Sequence, residues 1–156
     1  MREGGKVKKQ RGFSLIELLI VVAIILVIAA IAIPNLMKSK MAANESSTVS
    51  SIRTIVTSEL SYAEVNPTSG YQSLGALASA GLIDTTLGAG TKSGYNFNLT
   101  PGSGTPPTTF ATWADPSSPG SSGTNYYCSD QSGVIQRGSS TFSGGCTGGT
   151  PIGNGN

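Results

Sequence analysis

The stretch that decides the fold is Gly12 to Ile33, GFSLIELLIVVAIILVIAAIAI. From Leu18 to Ile33 it holds sixteen apolar residues in a row. With Phe13 to Glu17 added, a helix at about 1.5 Å per residue reaches about 31 Å, and a bilayer's hydrocarbon core is about 30 Å. The stretch therefore reads as a membrane-spanning helix. Its one charge is Glu17. A carboxylate at mid-bilayer costs about 3 kcal/mol on insertion scales, so such a residue is a functional candidate whose partner has to be found.

Working outward towards the N-terminus, Met1 to Gly12 carries Arg2, Lys6, Lys8, Lys9 and Arg11 against Glu3, a net charge of +4. It ends in Lys9-Gln10-Arg11-Gly12, directly before Phe13. A basic leader ending in Gly, an aromatic, a Glu five residues after the Gly and a long apolar helix resemble the start of type IV prepilins. The resemblance runs from about Lys9 to Lys40. It implies cleavage after Gly12 by a prepilin peptidase, N-methylation of the new terminal Phe13, and an assembly role for Glu17.

The chemistry of these residues is coherent on its own terms. Phe13 and Glu17 are i and i+4, on one helix face. An amine freed on Phe13 is the natural neutraliser of Glu17, in the same subunit or, in a bundle, from a neighbour. A buried carboxylate whose neutraliser lies on the next copy favours assembly and sets the axial stagger. Two rival readings stand beside this one. Glu17 is also tolerable as an interfacial carboxylate at a helix N-terminus, where the dipole favours anions. The whole segment can also be drawn as a secretory signal peptide: Lys6 to Arg11 basic, Leu18 to Ile28 apolar, and Ala30-Ile31-Ala32 as the cleavage site. Glu17 fits that reading poorly, because it heads the apolar region.

The 156 residues point to one small soluble head beyond the membrane stretch. Outside the leader the side-chain net charge is −2, so the basic character belongs to the leader and keeps that end cytoplasmic. The head offers no basic footprint for nucleic acid. The chain has no histidine, which removes His-based triads and most zinc and iron sites. No phosphate-cradling Gly loop is present. The reading is a structural protein, not an enzyme, with no cofactor and no metal. Charge is sparse at 12% and glycine is heavy at 21 residues, which suits an extracellular surface of turns and strands.

Pro34 directly follows the apolar run. A proline inside a helix removes one backbone bond and crowds the preceding turn. A kink or local melting is expected there, because helical patterning resumes at Leu36. From Val49 the apolar positions Val49, Ile52, Val56, Leu60 and Ala63 form an amphipathic stripe, widened by Ile55. Asn66-Pro67 stops it. One long helix from Phe13 to about Val65 results, its first half in membrane or filament core and its second half packed on the head. Residues 66–94 read as a connector, with one or two helical turns over Leu74 to Ala80 closed by Gly81, anchors at Leu82 and Ile83, and loop from Gly88 to Gly94.

Four strand-like segments follow: Tyr95 to Leu99, Thr108 to Ala114, Thr124 to Cys128 and Val134 to Arg137. The last two form a hairpin with Gly133 at its turn. An antiparallel meander covering the helix stripe is expected, with Gly138 to Asn156 irregular. The fold class is α+β. The expected organisation is a cleaved leader (1–12), a transmembrane or filament-core helix (13–34) and a soluble head (35–156). Cys128 and Cys146 are the only cysteines. In an oxidising compartment they form a disulfide, with two free thiols as the bland alternative. Asn44-Glu45-Ser46 and Asn98-Leu99-Thr100 match a glycosylation sequon of low specificity. Asp130 is a lone carboxylate for calcium, more simply read as a turn aspartate.

The resemblance implies a subunit of a type IV pilus, held in the bacterial inner membrane with its head periplasmic and then assembled into a homopolymeric surface filament. Its partners would be the peptidase and the pilus or secretion assembly machinery. A pseudopilin of a type II secretion system shares every residue argued so far, and a secreted domain behind a signal peptide is the alternative of a different class.

Overall fold

The structure, a computed structural model, describes residues Gly12 to Ile152; the leader residues 1–11 lie outside that range. The chain divides into two compact units, between Leu36 and Met37. In chain order the elements are α1 (Leu15–Val65), α2 (Leu74–Ser79), α3 (Thr85–Gly88), β1 (Thr91–Lys92), β2 (Tyr95–Pro101), β3 (Phe110–Pro116), β4 (Tyr126–Asp130), β5 (Gln136–Gly138) and β6 (Thr150–Pro151). The α+β class and the helix end at Val65 agree with the sequence reading.

In the first unit α1 starts at Leu15, two residues later than expected, because Ser14 takes the cap position. The Leu18 amide donates to the Ser14 carbonyl at 3.3 Å, and the Glu17 side chain reaches back to the Ser14 amide at 2.9 Å. Ser14-Leu15-Ile16-Glu17 thus supplies the carboxylate half of a capping box. Pro34 lies inside α1 and the helix is continuous through it, so the local melting weighed above is not seen.

In the second unit the six strands form one antiparallel meander in the order β1-β2-β3-β4-β5-β6. β2 and β3 pair over seven residues, from Tyr95 with Pro116 to Pro101 with Phe110. Alternate residues Phe110, Thr112, Ala114 and Pro116 of β3 are buried. They face a core containing Ile52, Ile55 and Val56 of α1 with Leu77, Leu87, Tyr95, Phe97, Tyr127 and Ile135. The long side chains of this core supply most of the head's stabilisation, at roughly 1.5–3 kcal/mol for each one fully buried.

Several expectations need correction. The expected loop from Gly88 to Gly94 contains the end of α3 and strand β1. Asp84 caps α3, accepting from the Leu87 amide at 2.8 Å. Ser93 and Gly94 both have positive φ, at 50° and 73°, and make the tight turn that suits a two-residue hairpin between Lys92 and Tyr95. The sheet has six strands, not four, and β6 interrupts the segment expected to be irregular. The expected strands at 108–114, 124–128 and 134–137 begin two residues too early, because cross-strand pairing sets the limits.

The buried face of α1 is also rotated from the expected stripe. It comprises Thr48, Ser51, Ile52, Ile55, Val56, Ser58 and Glu59, whereas Leu60 is 38% exposed. Hydroxyl residues are tolerated inside because their bonds are made: Thr48 donates to the Asn44 carbonyl at 2.8 Å and Ser58 to the Leu82 carbonyl at 3.1 Å. Of the two expected anchors, Ile83 is buried and Leu82 is exposed. Gly81, with φ of 74°, does close α2, and the Leu82 amide reaches back to the Leu77 carbonyl at 3.0 Å in the manner of a Schellman ending.

Cys128 and Cys146 are bridged, with Cα atoms 5.6 Å apart. Cys128 pairs with Trp113 across β3 and β4. Register therefore puts both on the sheet face away from the α1 core, and Trp113 is not a core residue. There Phe142 is buried over Gly138 and Gly149; a Cβ added at either glycine would strike its ring. The Gln136 side-chain amide donates to the Cys146 carbonyl at 3.2 Å.

Candidate assembly segment and head anchors

The candidate site is the first unit itself. From Phe13, 84% exposed, to Met37, every large apolar side chain is exposed, on a helix long and apolar enough to cross a membrane. Water does not tolerate a contiguous apolar surface of this kind, so it marks a membrane or protein contact. Glu17 is the one acidic residue on it. Among the described residues its hydrogen bond goes to the Ser14 amide. The capping spacing Ser-x-x-Glu was readable in the sequence, and the membrane pattern masked it. Gly12 and Phe13 precede the helix, and any processing there is chemistry on an exposed, non-helical segment.

In the head, sequence reasoning missed two carboxylates on α1. Glu45 accepts from the Thr124 amide at 2.8 Å, the Thr124 hydroxyl at 3.1 Å and the Asn125 amide at 3.2 Å. It also accepts from the Asn125 side chain at 2.9 Å and the Tyr127 hydroxyl at 3.2 Å. Burial pushes this carboxyl up, but the bonds from Thr124 and Asn125 outweigh it and hold the group below its ordinary value. Glu45 thereby fastens the β3–β4 loop to α1. Glu59 is 0% exposed and among the described residues accepts from the Gln72 amide alone, through both oxygens at 3.1 and 3.0 Å. Burial pushes it up to about 7 against that one amide.

Asp115 has one carboxylate oxygen buried without a hydrogen-bond partner. Burial pushes this carboxyl up, opposed by the Thr141 hydroxyl. Asp130 accepts from the Ser132 amide at 2.8 Å and acts as a turn residue. No cluster of three or more potential metal ligands occurs among the described residues. Asn44, of the first sequon, donates to the Ser122 carbonyl at 2.8 Å.

An exposed apolar helix with a capping carboxylate near its start, followed by an antiparallel α+β head, is a pilin-like arrangement. The model of the prokaryotic N-terminal methylation motif matches residues 7–33. The chain is 44% identical over 54 residues to the type IV major pilin protein PilA of Myxococcus xanthus, covering 35% of this chain and 24% of that protein. It is 53% identical over 38 residues to the type IV wide pilus major component PilA4 of Thermus thermophilus, covering 24% of this chain and 29% of that protein. The matches thus span about a quarter of the length of these relatives. No solved structure matches the chain. The motif and these relatives make the N-terminal part of this chain similar to that of type IV pilins.

Proposed function

We propose that the chain is a structural subunit of a type IV pilus. The observation that carries this reading is the uncovered apolar helix with Glu17 four residues from Phe13, inside a matched N-terminal methylation motif. In this reading a prepilin peptidase cuts after Gly12 and Phe13 becomes the N-methylated terminus. The helix holds the subunit in the inner membrane with the head periplasmic, and the subunits then assemble into a homopolymeric surface filament with the head outward. Glu17 pairs with the Phe13 amine of a neighbour, because a lone charge in an apolar bundle is far costlier than a pair. Pro34, which removes one hydrogen bond from the helix, is the place where it bends on packing.

The structure sharpens the test. Glu17→Ala loses both the charge and the cap to Ser14, whereas Glu17→Gln keeps a capping side chain and loses only the charge. Processed, membrane-inserted Glu17→Gln is expected to make few or no filaments when surface filaments are counted. Normal numbers and lengths from Glu17→Gln would reduce Glu17 to a helix cap. A mature N-terminus at Ile33 instead of Phe13 would establish a signal peptide and overturn the whole reading.

A further inference from the structure

We propose that Glu59 and the Gln72 amide form a proton-controlled latch, which seats the connector between α1 and α2 on the helix when Glu59 is neutral and frees it when Glu59 is ionised. Glu59 is completely buried on the core face of α1. Both of its oxygens share one donor, the Gln72 amide. Fully buried glutamates are rare unless paired, and one neutral amide does not replace the hydration of a carboxylate.

The connector is otherwise folded largely on itself. The Ser69 and Gly70 amides donate to the Asn66 carbonyl, and the Gln72 side chain donates to the Ser69 carbonyl at 2.9 Å. Tyr71 holds it to the sheet side, its amide on the Pro107 carbonyl at 3.3 Å and its ring 4.7 Å from that of Phe110. The Glu59–Gln72 contact is the bond from the connector's end back to the interior of α1. Ionised Glu59 gains its missing hydration only when this contact opens, a local event that leaves the rest of the core in place.

The titratable groups of the packed elements do not compensate the charge. α1 contributes Tyr62 and Glu64 nearby in sequence, and Glu64 is exposed. The connector contributes Tyr71, and α2 contributes none. Beyond α2, Asp84 is tied to Lys92 at 2.8 Å. None of them acts electrostatically on Glu59, whose shift is burial set against the Gln72 bond, and it places the change near neutrality.

The test is amide hydrogen exchange of the full chain in non-ionic micelles from pH 5.5 to 8.5, corrected for intrinsic exchange. Protection of the Gln72 amide is expected to fall about tenfold between pH 6 and 8 and then to level off, because the open-to-closed ratio changes about tenfold per unit only between the hydrated carboxyl's ordinary value of 4.5 and the buried group's value of about 7. The Ala114 amide of β3, reached only by global unfolding, is expected to keep a higher protection than Gln72 at every pH. Glu59→Gln, which keeps an acceptor for Gln72 and cannot ionise, is expected to abolish the fall. Unchanged Gln72 protection in the unmodified chain overturns the latch without any variant. A fall that persists in Glu59→Gln overturns it as well.

Discussion

Glu45 and Glu59 are the same residue type on the same helix, and their surroundings give them opposite pH behaviour. Glu45 has five hydrogen-bond contacts from Thr124, Asn125 and Tyr127; its carboxyl is held below its ordinary value, despite burial, by these bonds. Its contribution to stability is present above the unfolded value of 4.5 and is lost as pH falls through the lowered folded value. Glu59 behaves in the opposite sense. Below 4.5 it is neutral folded and unfolded; from there to about 7 the unfolded chain ionises first, and stability falls as pH rises. The full difference is at most about 3 kcal/mol. Asp115, also raised by burial, works in the same direction as Glu59. Stability of the head is therefore expected to peak near pH 4.5, to fall from there to about pH 7 and to level off above it, measured by urea unfolding across pH 3–9. Glu45→Ala is expected to cost about 2–4 kcal/mol, because it orphans donors that are partly buried, and to flatten the acid limb of that curve.

Among the elements, the segment from Gly138 to Gly149 depends most on a single covalent link. Its own packing amounts to little more than Phe142 over two glycines, with the Gln136–Cys146 bond beside it. The Cys128–Cys146 bridge has a sequence separation of 18, and closing a loop of that size is worth about 3 kcal/mol in the chain-entropy model. Cys128→Ser is expected to lower the unfolding free energy by about 2–4 kcal/mol and to make the segment the first site of limited proteolysis. Cleavage rates equal to those of the unmodified chain would show that Phe142 alone holds it. The hairpin elements follow local rules: Gly133 has φ of 73° at the β4–β5 turn, where the sequence places it. Ser93-Gly94 makes an equally local turn, but β1 is two residues long and carries no alternation to announce it.

For the whole molecule, the division near Leu36 separates two kinds of surface. Large exposed apolar side chains run continuously before it, and after Met37 only Leu60, Val65, Leu82 and Val134 are exposed among the described residues. Scattered apolar residues of that kind are ordinary on a soluble surface. A fragment spanning Met37–Asn156 is therefore expected to fold cooperatively and to remain monomeric without detergent, by circular dichroism and sedimentation. Aggregation of the fragment at low micromolar concentration would mean that the head needs the N-terminal helix for more than attachment.

By itself the sequence determined the apolar helix, the isolated Glu17, the helix end before Asn66-Pro67, the antiparallel meander and the pairing of the only two cysteines. These features rest on signals a few residues long: an unbroken apolar run, a stop at proline, alternation by two, glycine at a turn. Only the tertiary structure decided which face of α1 is buried and what its two carboxylates do. Glu45 meets Tyr127, 82 residues away, and Glu59 meets Gln72 across a turn of 13. No periodicity within α1 encodes either meeting. A polar residue enters a core only where the rest of the fold brings a donor to it, and that donor is placed by other segments.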